Sequence, residues 1–376
     1  MGKNRRFTKR WLITGVIGGL LLGTEPLGWI AVPVKAATEP VTVTTSKQMQ
    51  LTLAEGMEDR KTTITLKYKG STKNLEKLLK QAVNDALEAD PYTKYIVDRY
   101  VYSWRGTSGS AKITLQIDYR ETAPQTAYVS ERVQAILKQL IGPDMNAHQK
   151  IKAIHDYVVL NLKYDTDLQK YTAYEGLRTG EAVCQGYALL TYELLKEAGI
   201  ENRLVEGTAG GQLHAWNLVK LDGRWYHLDT TWDDPVPDVP KQVKYGYYLR
   251  TDEQMRKDHS WNAGDYPKSN VAYLVLLNSL IDQGGTKADF YGNLKERLGY
   301  DLYDAEAAVS DAKGLADQVK KGILADEYTV TVRYAGSERQ LLEDLAALYG
   351  LGIRNIRYLV QPLEGTEDLR VEIHWE

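Results

Sequence analysis

The sequence predicts an α+β protein whose central domain is bracketed by two small β-α-β-β modules. Two stretches within residues 147–199 have the apolar spacing of amphipathic helices. Strand-like segments follow and are joined by Asp222-Gly223, a dipeptide that strongly favours a two-residue β-hairpin turn. Residues 60–120 and 327–376 share one order of segments: a Thr-rich strand, a Gly-Ser/Thr turn, a Leu-rich helix and two further strands. These three observations lead to the predicted architecture.

The start of the chain has the features of a secretory signal peptide. Five basic residues fall within positions 1–10, and an apolar run extends from Trp11 to Gly23. This run is shorter than the about 20 apolar residues that a membrane span needs. Val34-Lys35-Ala36 offers a plausible cleavage site. We therefore predict export, with residues 1–36 as the signal peptide and no stable membrane span after cleavage; an uncleaved N-terminal anchor is the alternative.

Composition and charge restrict the class of protein. Hydrophobic residues make up 43% of the chain and charged residues 26%, which excludes disorder along the whole chain. Loss of the signal peptide removes six basic residues and one acidic residue, so the net charge changes from −3 to −8. This negative net charge argues against nonspecific nucleic-acid binding, which requires a basic face. We expect a secreted or cell-envelope-associated protein without a nucleic-acid partner.

Cys184 is the single cysteine, so the chain cannot form an internal disulfide. A lone cysteine can be a small buried hydrophobe, half of an intermolecular disulfide, or a nucleophile. The second predicted helix should begin near Cys184 and end at Gly199, a suitable C-cap glycine. The first turn of a helix presents unpaired N–H groups and the positive end of the macrodipole, which stabilise a thiolate. This position favours the nucleophile.

The hairpin register brings a histidine close to an acid. With Asp222-Gly223 as the turn, Trp216 lies opposite Asp229, and His214 shares a sheet face with Asp229. The two are diagonal neighbours roughly 7–8 Å apart at the backbone. An aspartate beside a histidine fixes its tautomer and stabilises the imidazolium. His227 lies on the same face and is the competing base; because it lies near the turn, we predict a flanking or packing role for it.

Three segments resemble the transglutaminase-like superfamily, in particular its exported bacterial members. They are TGEAVCQGYALL, HAWNLVKLDGRWYHLDTTWDDP and the later YLRTDEQMRKDHSW. The resemblance covers residues 140–267. It implies a papain-like fold, in which a helix that carries the nucleophile packs against an antiparallel sheet that carries the base.

The resemblance also implies the catalytic roles. Cys184 would be the nucleophile, His214 the general base and acid, and Asp229 the orienting acid. The implied chemistry is attack of the thiolate on an amide carbonyl to give a thioester. Water would resolve the thioester in a peptidase or amidase, and an amine would resolve it in a cross-linking acyltransferase; the sequence does not decide between them.

Other positions complete the expected site. Cross-linking members of the family typically have Trp after the nucleophile, whereas Gln185 follows it here. The expected oxyanion donors are the backbone N–H of Cys184 and, second, the side chain or N–H of Gln185. Trp216, Trp232 and His259 are candidates to line the cleft, although a structural hydrogen bond is the stronger expectation for His259.

No metal or other cofactor is expected. The chain has no calcium loop of the helix-loop-helix kind. The acidic cluster of Asp233, Asp234 and Asp238 is interpreted as a solvated loop in preference to a metal site. His148 and His155 fall on the first predicted helix, where we expect surface or helix-face roles.

The predicted domains are an N-terminal module (37–125), a catalytic domain (140–267), a helical connector (268–326) and a C-terminal module (327–376). The modules hold no cysteine, and their single histidine is His374, expected to be solvated or in the terminal strand. We predict that they present the catalytic domain or bind an envelope polymer. The expected substrate is a protein or peptide in the envelope or outside the cell. The rival hypothesis is a non-catalytic envelope binding protein that retains the fold.

Overall fold

The structure is a computed structural model and describes residues 40–237 and 242–376. The predicted signal peptide and Asp238 lie outside the described residues. The chain divides into two compact units, one ending at Asn270 and the other covering Val271–Glu376. Within the described ranges, no helix combines the length and the apolar character needed to cross a bilayer.

The first unit opens with a four-stranded sheet. Its elements are β1 (Val41–Val43), α1 (Ser46–Glu58), β2 (Thr63–Lys69), α2 (Leu75–Leu87), α3 (Pro91–Ile96), β3 (Val97–Thr107) and β4 (Ser110–Tyr119). The strand order is β1-β2-β4-β3, with β1 parallel to β2 and the other neighbours antiparallel. Side chains of β2 and β4 alternate between buried and exposed. The buried set, which includes Leu66 and Ile113, therefore forms a core with Leu79 of α2.

Three of these elements, β1, α1 and α3, are absent from the sequence prediction. The helix α3 has a clear local cause, because the Asp90 side chain accepts the N–H of Thr93 and Pro91 occupies the first turn. The first of the two further strands predicted within residues 60–120 is therefore preceded by this helix, and it starts as β3 at Val97.

The central part of the first unit combines helices with a second antiparallel sheet. Its elements are α4 (Ala123–Leu140), α5 (Ala147–Asn161), β5 (Lys163–Tyr164), α6 (Ala173–Thr179), β6 (Glu181–Ala182), α7 (Cys184–Glu197), β7 (Asn202–Ala209), β8 (Gln212–Leu221), β9 (Arg224–Leu228), α8 (Asp252–Met255) and β10 (His259–Trp261). The sheet order is β10-β7-β8-β9. Helix α7 packs against β7 and β8, and Asn217 Nδ2 donates to the Ala188 carbonyl across this contact at 3.1 Å.

The hairpin of β8 and β9 has the predicted register. Leu221 lies opposite Arg224, and the pairing continues without a shift through β9. Asp222 and Gly223 have φ of 47° and 76°, the left-handed conformations that a type I′ turn requires. The predicted register is confirmed. Asp229 follows directly after the last residue of β9.

The second unit holds helices and a third sheet. Its elements are α9 (Tyr273–Asp282), α10 (Ala288–Arg297), β11 (Ala308–Val309), α11 (Ala312–Leu324), β12 (Thr329–Tyr334), α12 (Glu338–Ala346), β13 (Ile356–Pro362) and β14 (Leu369–Trp375). The strand order is β11-β12-β14-β13, with β11 parallel to β12 and the other neighbours antiparallel. This is the strand arrangement of the first sheet.

The segment 268–326 is not a separate connector. Its strand β11 belongs to the third sheet, and α11 contributes Leu315 and Val319 to the core around Tyr334. In both the first and the third sheet, a further strand and helix precede the strand, helix and two strands that the sequence predicts. The short strands β1 and β11 carry too few residues for a clear alternating pattern.

Candidate active site

Cys184 is the first residue of α7 and is half-buried. The chain enters this helix through Gly180, whose φ of 73° ends α6. In the first turn, a Cβ on Gly186 would lie only 2.6 Å from the Ala182 Cβ, so glycine permits the close packing of this turn. Cys184 thus lies where unpaired backbone N–H groups and the helix dipole favour a negative charge.

His214 on β8 connects Cys184 with Asp229. The His214 Nε2 lies 2.7 Å from Asp229 Oδ2, and the two side chains are 6% and 0% exposed. Cys184 contributes to raising the pKa of His214, so its thiol lies beside this ring. Because Nε2 is occupied by Asp229, Nδ1 is the ring nitrogen left for the thiol. The structure therefore brings together the three predicted residues, with the imidazole of His214 between the thiol of Cys184 and the carboxylate of Asp229.

Charge favours the protonated form of His214. Burial lowers its pKa, but the charge and hydrogen bond of Asp229, helped by Cys184, outweigh burial and raise the pKa to about 10. Burial likewise raises the pKa of Asp229, yet His214 and His259 bring it well below its usual range. The imidazole can therefore hold a proton taken from the thiol while Asp229 remains ionised.

The Asp229 carboxylate accepts four hydrogen bonds. Its Oδ1 accepts the backbone N–H groups of Thr231 and Trp232 at 3.0 and 3.2 Å. Its Oδ2 meets Nε2 of His214 and also Nε2 of His259, the latter at 3.0 Å. Both oxygens are thus occupied, which keeps this fully buried carboxylate in one orientation.

His227 has side-chain partners other than Cys184, His214 and Asp229. Its Nδ1 accepts the indole N–H of Trp216 at 2.8 Å, so its proton is on Nε2, which lies 2.9 Å from Asp252. Burial lowers the pKa of His227, although Asp252 opposes this. Both nitrogens are occupied, and the residue has the packing position that the sequence predicts.

The side chain of Gln185 points to Tyr95. It is buried, and its Nε2 donates to the Tyr95 carbonyl at 3.0 Å. This bond engages the side-chain amide that the sequence suggested as the second oxyanion donor. The contact with α3 also ties the N-terminal sheet to the start of α7. The backbone N–H groups of Cys184 and Gln185 remain candidates, because N–H groups in the first helical turn have no intrahelical acceptor.

Of the three cleft candidates, only Trp232 is half-buried. Trp216 and His259 are 1% and 3% exposed and cannot line an open cleft. Trp216 instead stacks on the imidazole of His214, with ring centroids 5.8 Å apart. Trp232 contacts the ring of His214 edge-on at 6.1 Å. The two indoles hold His214 from two sides.

Two residues of the acidic cluster, Asp233 and Asp234, are buried and do not lie in a solvated loop. Asp233 is fully buried and bonds with His155 Nε2 at 3.0 Å, while Asp234 accepts the hydroxyl of Tyr187 at 2.5 Å. Burial of Asp233 is tolerated because His155 and the backbone N–H of Tyr247 satisfy its two oxygens, and the Tyr187 hydroxyl satisfies Oδ2 of Asp234. His155 is fully buried, so a surface role for it is wrong.

His148 is also buried and bonds with Asp222 at 3.1 Å, so it does not lie on the surface. His374 is exposed on β14, as expected. Among the described residues, His214, Asp229 and His259 could in principle hold a metal ion, since their ligand atoms lie within 4.8 Å of one another. These atoms already bond with each other, and a metal would displace the protons between them.

The sequence did not indicate two tyrosines near the thiol. Burial raises the pKa of Tyr164 to about 12, and the charge of Cys184 adds to this effect. Burial also raises the pKa of Tyr95, to which Cys184 contributes less than Glu206 does. Both tyrosines come from segments far from Cys184 in the chain. The abundance of tyrosine is visible in the sequence, but its proximity to the thiol is not.

Comparison with known proteins gives a family match and partial relatives. Residues 134–230, which include Cys184, His214 and Asp229, match the family model of the Transglutaminase-like superfamily. The kyphoscoliosis peptidase of Mus musculus is 25% identical over 162 residues, which are 38% of this chain and 24% of that protein. The chain thus spans about a quarter of the length of this curated relative.

Two solved structures are similar in part. A structure described as a TGase is 13% identical with a TM-score of 0.28, covering 55% of this chain and 62% of its own. A candidate cysteine protease from Cytophaga hutchinsonii is 17% identical with a TM-score of 0.26, covering 45% and 71%. Both TM-scores are below 0.5.

Proposed function

Since this chain carries a domain of the transglutaminase-like superfamily over residues 134–230, we propose that it is a thiol enzyme that attacks amide carbonyls. The observation that carries the proposal is the position of His214 between the thiol of Cys184 and the buried carboxylate of Asp229. A nucleophile that contacts a base, which is in turn oriented by an acid, is the arrangement that acyl-transfer enzymes use.

The first half of the reaction forms a thioester. The thiol of Cys184 gives its proton to His214 Nδ1, and the sulfur forms a bond with the carbonyl carbon. The carbonyl oxygen receives the electron pair and becomes an oxyanion. When the intermediate collapses, the C–N bond breaks and the leaving amine takes the proton from His214. The acyl group then remains on sulfur.

Two groups stabilise the charges that develop. The raised pKa of His214 lets the imidazolium persist beside the thiolate before the substrate is attacked. The N–H groups in the first turn of α7 can donate to the oxyanion, and the Cys184 N–H is the nearest to the reacting atom. Gln185 supplies its backbone N–H only, since its side chain binds the Tyr95 carbonyl.

The second half of the reaction transfers the acyl group to water or to an amine. The acceptor gives a proton to His214 as it attacks the thioester, and the Cys184 sulfur leaves. Water makes the protein a peptidase or amidase, whereas a primary amine makes it a cross-linking enzyme. The name of the mouse relative, a peptidase, supports water as the acceptor.

The substrate we propose is a protein or peptide in the cell envelope or outside the cell. The basic and apolar start of the chain supports export, and the negative charge of the remainder argues against a nucleic-acid partner. A non-catalytic binding protein is the competing function. A binding protein does not require a histidine such as His214 between a thiol and a buried carboxylate.

Alkylation by iodoacetamide tests for an activated thiol. Because Cys184 is the single cysteine, the measured rate belongs to it alone. At about pH 6, the folded protein should react at least about tenfold faster than the urea-denatured chain, since activation depends on the fold. His214→Ala should abolish the difference. Equal rates for the folded and denatured wild type would support the binding protein and refute the enzyme.

A second assay distinguishes the acceptors. The protein is incubated with an unfolded protein substrate in the presence and absence of a fluorescent primary amine. Release of peptides without incorporation of the amine indicates hydrolysis, and incorporation indicates transamidation. Cys184→Ala serves as the control and should show neither product.

A further inference from the structure

His259 has no part in the reaction described above, yet it contacts the acid of the triad. It lies on β10 opposite Ala209 of β7, whereas His214 on β8 lies opposite Gly207 of the same strand. Residues 207 and 209 point to one face of the sheet. Because both are small, the two histidines can meet above β7, where each ring places Nε2 on Asp229 Oδ2.

His259 is itself held from its other side. Its Nδ1 lies 2.5 Å from Asp258 Oδ1, and the hydroxyl of Tyr247 donates to Asp258 Oδ2 at 2.5 Å. The ring packs against Trp232, with centroids 4.7 Å apart. A continuous chain of contacts therefore runs from Tyr247 through Asp258 and His259 to Asp229.

The contact with His259 has a direct consequence for Asp229. An ionised carboxylate only accepts hydrogen bonds, so Nε2 of His259 must carry the hydrogen in this contact. Without the His259 ring, the buried Oδ2 of Asp229 would keep His214 as its one partner. The carboxylate could then rotate away from the geometry in which His214 Nδ1 faces Cys184.

We propose that His259 is a positioning residue that holds the Asp229 carboxylate in the orientation required by His214, and that Asp258 and Tyr247 hold His259. This inference rests on the proposed function, because it concerns the orientation of the same triad. It assigns a role to the segment that ends in Asp258-His259-Ser260-Trp261, which the reaction steps leave unused.

A purely structural role is the rival explanation, and His227 provides the matched control. It is also a fully buried histidine of the same sheet, and it also bonds with a carboxylate, that of Asp252. It does not contact Asp229, because its nitrogens are occupied by Trp216 and Asp252. If only stability mattered, loss of either ring would have the same effect on thiol reactivity.

The experiment measures the pH profile of iodoacetamide alkylation in the full chain. Expected results are about a tenfold slower reaction at about pH 6 in His259→Leu, with the acid limb shifted to higher pH. His259→Gln, whose amide can donate in place of Nε2, should recover to within about threefold of the wild type. The folded fraction of His227→Leu, which is measured by tryptophan fluorescence, should keep the wild-type pH profile.

The outcomes separate the hypotheses. A wild-type profile in His259→Leu, or equal slowing in His259→Leu and His227→Leu, would overturn the positioning role. If His259→Leu does not fold, Tyr247→Phe provides the test, because it removes one hydroxyl and should slow alkylation by about threefold; an unchanged rate there would also overturn the role. A folded wild type that reacts no faster than the denatured chain would instead refute the proposed function, and the inference with it.

Discussion

Replacement of Asp229 by asparagine tests the electrostatic basis of the site. Burial lowers the pKa of His214, but the charge of Asp229 is the main effect that overcomes burial and raises the pKa to about 10. Without that charge, burial should bring the pKa to about 6.5 or below. At about pH 8 the imidazolium fraction of His214 would then fall from about 99% to about 3% or less. A shift of the pKa from about 10 to about 6.5 corresponds to about 5 kcal/mol.

Asparagine also breaks the hydrogen-bond pattern in either orientation of its amide. If the amide oxygen faces His214 and His259, the NH₂ group meets the N–H donors of Thr231 and Trp232. If it is flipped, the NH₂ group faces both histidines and selects the wrong tautomer of His214. One side of the side chain is unsatisfied in each case, which costs about 1–3 kcal/mol for each lost partner.

The assay for Asp229→Asn is the alkylation rate of Cys184 between about pH 5 and about pH 9. We expect a fall of at least about tenfold at about pH 6, toward the rate of the denatured chain. Asp252→Asn is the matched control, since it removes the carboxylate from the His227 pair and leaves the triad intact. A wild-type rate in Asp229→Asn would refute the assignment of Asp229 as the source of the charge.

We also expect Asp229→Asn to change how the stability of the protein depends on pH. The raised pKa of His214 means that its stabilisation is fully present below about pH 6.5 and is lost as pH rises through about 10. The lowered pKa of Asp229 means that its stabilisation is present above about pH 3.9 and is lost as pH falls. These two effects describe the same His214–Asp229 pair, so its contribution to stability is counted only once. Urea unfolding should therefore show the largest difference between wild type and Asp229→Asn at about pH 4–6.5, and equal differences at about pH 6 and pH 10 would contradict this.

Three further predictions concern the surroundings of the site. Gly207→Ala should destabilise the protein by at least about 2 kcal/mol in urea unfolding, because its Cβ would lie 2.1 Å from the Ser260 carbonyl oxygen; a neutral effect would show that β10 can move away. His227→Ala should lower the urea midpoint while the folded fraction keeps its thiol reactivity, and the opposite pattern would make His227 the base in place of His214. Deletion of Val271–Glu376 should leave the alkylation rate unchanged, because these residues form a separate compact unit with their own core; lost reactivity in a folded product would contradict this.

The local features of the fold follow from short-range patterns. The hairpin turn depends on Asp222 and Gly223 alone, since they readily adopt positive φ, and this turn determines the register of β8 and β9. The start of α7 at Cys184 and its end before Gly199 are likewise local. These patterns were sufficient to predict that His214 and Asp229 lie side by side, because both belong to one hairpin.

Tertiary structure decided which groups are buried and which groups meet. Gln185, Asp233 and His155 are polar residues, yet each is buried against a partner at least 14 residues away. Their burial is favourable only because those partners satisfy their hydrogen bonds, and no sequence pattern records such a partner. The contact of His259 with Asp229 has the same origin. Two strands that are not consecutive in the chain pack side by side, and small residues on β7 leave room for the rings to meet.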